Sequence, residues 1–259
     1  MKIQSEEVGV LSEIKIMPCL DIRYGRVVKG IQFADITDAG DPIESAGAYS
    51  AAGADELTML DIAATAENRG IMLDVIRNVA KVTTIPFTVG GGIHDIASAG
   101  AVLEAGADKI SISSAAFKNP KIIGEIISEF GTDCLTVAID VTQNTSQPSG
   151  YEVWIDGGRT ATGVDAIEWA KQVGGYGVTT ILPTSKSTDG IRSGYDLPLI
   201  RKMKDATGVA IIASGGAGKL EHFLDAVNAG ATILLAASVF HFNIIGIQEL
   251  KNYLRKNLS

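Results

Sequence analysis

Cysteine is scarce: the 259 residues contain two, Cys19 and Cys134, each inside an apolar run. Two such thiols supply neither a disulfide framework nor a zinc-ligand pattern, and they read as buried free thiols in a reducing compartment. Long apolar runs are missing as well. None approaches the roughly 20 residues of a membrane-spanning helix. Residues 1–13 lack the basic start and apolar centre of a secretory signal and read as a short extension before the first strand. A basic block is also absent. The net charge of −8 argues against nucleic acid and against an anionic membrane surface as partners. The three histidines, His94, His222 and His241, show no metal-ligand spacing and no base partner, and read as turn or helix-surface residues. These absences describe a chain expected to be soluble, cytoplasmic and without a metal.

What is present is regular. Hydrophobic residues make up 46% of the chain, in short runs rich in Val, Ile and Leu that alternate with segments of helical period. Continuous hydrophobicity marks strands of a parallel sheet covered on both faces. Strands are expected near 14–20, 57–61, 85–89, 108–113, 134–139, 178–183, 209–213 and 232–236. Helices are expected near 43–52, 69–81, 95–105, 119–130, 163–174, 196–206, 219–229 and 246–257. Strict βα alternation over a length close to the usual ~250 residues predicts a closed (β/α)8 TIM barrel occupying 14–259 as one domain.

The barrel reads as two similar halves. Val89-Gly90-Gly91-Gly92-Ile93 is echoed by Ala213-Ser214-Gly215-Gly216-Ala217. Ser113-Ser114 is echoed by Ala237-Ser238, and both echoes lie 124 residues downstream (91 to 215, 114 to 238). Asp21 closes one apolar run and Asp140 another, 119 residues apart (21 to 140). A carboxylate where a buried strand emerges is partly desolvated, so its proton affinity can be tuned for acid–base work. The glycine turns let backbone N–H groups converge on an anion, with the serine hydroxyls beside them. Two anion pockets, around Gly91, Gly92, Ser113 and Ser114 and around Gly215, Gly216 and Ser238, imply an elongated substrate with a phosphate at each end. Its reactive middle would lie over Asp21 and Asp140.

Segments 22–42 and 141–162 are too long for simple turns and read as lids or binding loops. The second contains a small hairpin, residues 151–158, closed at Asp156-Gly157. Lys29, in the first segment, is placed to clamp a phosphate, and Asp189 and Asp61 to point into the mouth.

With the motifs CLDIRYGRVVKG, FADITDAGDP, PFTVGGGIHD, GADKISISSAA, VAID, IIASGGAGKLEHF and AASVFHF in hand, the chain resembles one family over about residues 14–254. That family is the cyclase subunit of imidazole glycerol phosphate synthase, from histidine biosynthesis. The sister isomerase of the same pathway shares the half-barrel repeat and the two aspartates. The resemblance implies a bisphosphorylated ribotide substrate attacked by ammonia, Asp21 and Asp140 as the acid–base pair, and no cofactor or metal. It extends the substrate contacts to Thr184, Gly190, Ser214 and Ala237. It also implies a separate glutaminase subunit, in a heterodimer, docked on the N-terminal face near Asp108. Ammonia would enter through a gate of four positions, here Lys15, Glu56, Lys109 and Thr180, where the family carries a second acid in place of Thr180. Ser113 stands where asparagine is usual, and Lys186-Ser187-Thr188-Asp189 keeps only the last carboxylate of an acidic-basic-acidic run. Lys109 is expected to be the more mobile of the two gate lysines.

Overall fold

Strand β1 (Lys15–Arg23) shows how the chain builds its layers. Successive side chains of a strand point to opposite faces. Ile16, Leu20 and Ile22 pack into the large cluster beneath the helices, while Met17 and Cys19 join a separate cluster with Leu182, Ile212, Ile233 and Leu235. The same alternation puts Lys15 and Asp21 on the inward side, one at each end of the strand. The computed structural model describes residues 14–31, 34–67 and 70–258, without the side chains at 29–31, 34–36, 65 and 66.

In chain order the strands continue as β2 (Arg26–Ile31), β3 (Ala34–Gly40), β4 (Leu57–Asp61), β5 (Phe87–Gly90), β6 (Lys109–Ile112) and β7 (Leu135–Gln143). Then come β8 (Tyr151–Ile155), β9 (Thr160–Asp165), β10 (Thr180–Ser185), β11 (Ala210–Ala213) and β12 (Ile233–Ala236). Parallel pairing runs β10-β11-β12-β1-β4-β5-β6-β7, and β10 pairs with β7 from Thr180↔Thr136 to Ser185↔Val141, which closes the ring. The molecule is a closed parallel barrel of eight strands with helices outside, the expected (β/α)8 architecture. No helix of the described residues is long and apolar enough to cross a membrane.

Aspartates start several of the outer helices. Asp41 accepts from the amides of Ile43 and Glu44, Asp95 from Ser98, Asp165 from Ile167 and Glu168, and Asp196 from Leu199. Each satisfies amide donors that a first helical turn leaves open. The side chain of Asp196 also accepts from the Tyr151 hydroxyl at 2.7 Å, which ties a helix start to the second long segment.

Among the described residues, both long segments form antiparallel hairpins and not irregular loops. β1 runs past the ring into an antiparallel hairpin with β2 and β3, and β7 runs past it into one with β8 and β9. The expected turn at Asp156-Gly157 is the tip of the second hairpin, with Asp156 at φ +56 and Gly157 at +66. Its second arm, Thr160–Asp165, is mostly exposed and carries no core pattern. The helix expected from 163 therefore begins at Ala166, behind the Asp165 cap. Short helices at Ala64–Glu67, Ser114–Lys118 and Ser238–His241 follow three strands, in addition to the eight expected helices.

Candidate active site

At the carboxyl ends of the ring strands the barrel opens into a cavity of about 880 Å³. Inward-facing positions form its floor. β1 and β7 stand opposite each other, four places apart in a ring of eight, so Asp21 and Asp140 face one another across the cavity. The Asp21 carboxylate accepts from the Cys19 thiol at 3.4 Å. Burial pushes the Asp140 carboxyl up to about 7; neighbouring Asp189 adds to this and Lys186 opposes it. At neutral pH Asp140 thus exchanges a proton readily, as acid–base work requires.

The two glycine turns flank this pair. Gly91 and Gly92 have φ of +95 and +77, and Gly215 and Gly216 have +78 and +107, values that L side chains rarely adopt. Space decides as well as torsion. A Cβ on Gly91 would lie 2.2 Å from the carbonyl oxygen of Asp61, and one on Gly216 would lie 2.1 Å from that of Gly194. Ser113 and Ser114 lie beside the first turn, Ala237 and Ser238 beside the second. Thr184 and Ser214 bridge β10 to β11, their hydroxyls 3.4 Å apart.

Every residue assigned from sequence to the aspartate pair or to substrate contact lines this cavity, except Lys29. Lys29 lies in β2 opposite Thr37, and its side chain is outside the described residues. Asp61 is at the cavity wall but buried, and its carboxylate accepts from the amides of Ala63 and Ala64, so it shapes the turn after β4. His94 stands exposed at the rim with Nδ1 2.9 Å from the Gly92 carbonyl oxygen. His222 accepts from the Gly218 amide, and Nδ1 of His241 is 2.6 Å from the Tyr49 hydroxyl. Among the described residues no cluster of metal-ligating side chains occurs.

Cationic lining residues were missed: Arg23, Lys118, Arg159 and Arg192. They escape the repeat. The position equivalent to Lys118, 124 residues on, holds Phe242, and the one equivalent to Arg192, 124 residues back, holds Asn68. Lys186, also missed, lies with its ammonium 3.8 Å from the centre of the Trp154 ring and donates to the Gly158 carbonyl.

The opposite end of the barrel carries the other charged group. Glu56 is 1% exposed, and its carboxylate receives Lys15 at 2.5 Å and Lys109 at 3.1 Å on each oxygen. Lys109 is the more enclosed lysine and holds both oxygens, contrary to its expected mobility; Lys15 is 44% exposed and holds one. Thr180 lines a cavity of about 400 Å³ there, with Lys15, Lys109 and Asp133. Asp108 is exposed on this face and accepts from the Phe87 amide at 2.8 Å. Between the two ends, the β4–β7 side of the interior presents the buried hydroxyls of Thr58, Thr88, Ser111 and Thr136, while the other side is apolar.

A protein-family model, described as histidine biosynthesis protein, matches residues 15–246. The chain belongs to that family. It is a histidine-biosynthesis barrel enzyme, of a family that includes a cyclase and an isomerase.

Proposed function

We propose that the chain is the cyclase subunit of imidazole glycerol phosphate synthase. It would combine ammonia with the phosphoribulosyl formimino carboxamide ribotide and release imidazole glycerol phosphate, aminoimidazole carboxamide ribotide and one water from the ribulosyl carbonyl. Two opposed aspartates between two glycine–serine turns in one cavity carry the two-phosphate acid–base chemistry common to cyclase and isomerase. The observation that carries the cyclase is the charged port at the amino end. Each turn receives one phosphate of the substrate, so the ribulosyl–formimino centre spans the floor. Asp140, with its proton affinity raised into the neutral range, is the proton donor to departing groups, and Asp21 takes protons from the attacking nitrogen. All steps are nitrogen addition, proton transfer and elimination, so the proposal needs no metal or redox cofactor.

The amino end of the barrel supports the choice of the cyclase over the isomerase. A buried carboxylate shared by two lysines at the strand starts, beside a cavity open to that face, suits a port through which a small polar molecule enters. The hydroxyl-lined side of the interior offers ammonia hydrogen-bonding partners on the way to Asp21 and Asp140. A glutaminase subunit docked on this face, with Asp108 at the contact, would supply it. Thr180 leaves the port one carboxylate short of the cyclase pattern, which bears on coupling to the glutaminase and not on cyclisation itself.

Offering the protein each substrate separately decides between the two. With ammonium present, the cyclase consumes the ribulosyl compound and leaves the ribosyl isomer untouched. Interconversion of the two compounds, with no imidazole product, refutes the cyclase.

A further inference from the structure

The two anion turns repeat in sequence, but their surroundings do not. Ser114 and Ser238 occupy equivalent places 124 residues apart, and each hydroxyl oxygen already accepts one hydrogen bond from a loop outside the repeat. A serine that accepts from the protein has its own O–H left to donate, here toward the cavity that both serines line. Ser238 accepts from Nε of Arg192 at 3.1 Å. Ser114 accepts from the backbone amide of Asp156 at 2.8 Å, at the tip of the β8–β9 hairpin. One serine is therefore oriented by a full positive charge and the other by a neutral amide.

Direct ion pairing of the cations differs in the same sense, although Asp189, whose Oδ1 would lie 3.5 Å from a Cβ on Gly215, adds a carboxylate beside the second turn. The nearby cation of the first turn is Lys118, and its ammonium is held by the Asp156 carboxylate at 2.6 Å. Arg159 on the same tip is exposed and donates to the Asp156 carbonyl. Among the described residues no carboxylate pairs with Arg192, whose guanidinium lies 5.6 Å from the Phe242 ring centre. The backbone holds Arg192 in place at some cost: its φ is +62, and a Cβ on Gly218 would sit 2.3 Å from its carbonyl oxygen. Its loop is clasped to the second glycine turn by the Gly194 amide donating to the Gly216 carbonyl at 2.8 Å.

We infer that the two phosphate subsites are unequal: Arg192 makes the Gly215–Gly216–Ser238 subsite the tight one, and Asp156 weakens the Gly91–Gly92–Ser114 subsite by occupying Lys118. Arg192 contributes twice, as the charge facing the phosphate and as the positioning residue for the Ser238 hydroxyl. The end of a two-phosphate substrate at the second subsite is anchored, and the end at the first is released first after the molecule is split. This rests on the proposed two-phosphate reading.

The test is titration of the full chain with inorganic phosphate, following the amide resonances of Gly91 and Gly92 separately from those of Gly215 and Gly216. In the wild type the second pair should saturate at about fivefold lower phosphate than the first, or less. Arg192→Gln should weaken the second pair by roughly tenfold or more, as loss of a charge-assisted hydrogen bond implies. It should leave the first pair within about twofold. Arg192→Lys keeps the charge but not the Nε contact, and should recover only part of the loss. Asp156→Asn should tighten the first pair by about threefold or more as Lys118 is released. Equal affinities in the wild type, an Arg192→Gln variant with an unchanged second pair, or an Asp156→Asn variant with a first pair no tighter, each overturns the inequality while leaving the two-phosphate substrate standing. A wild type in which neither pair responds overturns both.

Discussion

Asp140 should be a residue whose function costs stability, and the cost can be worked out. Its carboxyl sits at about 7 in the folded chain against an ordinary 3.8, a rise of roughly three units caused first by burial. The folded state therefore binds the proton more tightly than the unfolded state, and between pH 4 and 7 it carries more protons. Stability contributed by this group is full below the unfolded value and is lost as pH rises through the folded value. At about 1.4 kcal/mol per unit, the penalty approaches ~4 kcal/mol above pH 7, about 2 kcal/mol at pH 5, and nearly nothing at pH 3.5. Asp140→Asn removes the titrating group and keeps the side chain's shape. Measured by urea denaturation at a series of pH values, the variant should gain on the wild type by about 2–4 kcal/mol between pH 4 and pH 8, with most of the change complete by pH 7. A difference between variant and wild type that is flat across that range would refute the burial argument, whatever its size. So would a difference that shrinks as pH rises.

Other perturbations separate the two ends of the barrel. Asp21→Asn and Asp140→Asn should each lower ammonium-dependent turnover by roughly 10²–10⁴-fold, with substrate affinity within about tenfold; a variant keeping more than a tenth of wild-type turnover is not an acid or base here. Glu56→Gln leaves Lys15 and Lys109 without their shared carboxylate and should destabilise by about 2–4 kcal/mol in urea denaturation, and a loss below about 0.5 kcal/mol would mean that solvent already screens the group. Thr180→Glu adds the missing acid beside the same lysines, and should bring the ratio of glutamate formed to imidazole product closer to one with the cognate glutaminase. A wild-type ratio already at one would show that another group, Asp133 in the same cavity being the nearest candidate, does that work.

The sequence made the barrel legible because parallel strands covered on both faces read as largely apolar runs: β12 is apolar throughout, and β1, β4 and β7 carry apolar stretches with polar residues at inward positions or strand ends. The site was legible for a related reason. Gly91, Gly92, Gly215 and Gly216 all take positive φ, and at Gly91 and Gly216 a Cβ would also strike a backbone carbonyl, so the repeat printed the requirement twice. What stayed hidden lacks either mark. The β9 arm pairs with β8 through its backbone while exposing Thr160, Ala161 and Val164, so no buried face gave it a period. Lys118, at the end of a short helix, and Arg192, in a loop, have no cationic counterpart in the other half, and a lone cation looks like any solvated one. The grouping of Glu56 with two lysines was legible only through the family resemblance, and which lysine is enclosed depends on barrel geometry alone.

The most direct measurement supplies ¹⁵N-labelled ammonium and the phosphoribulosyl formimino carboxamide ribotide to the purified chain, without any glutaminase, and follows the label by mass spectrometry and the substrate by its absorbance. One labelled nitrogen per molecule of imidazole glycerol phosphate, formed as the substrate disappears, is the expected result. Unlabelled isomeric product, or substrate that persists at saturating ammonium, would contradict the cyclase.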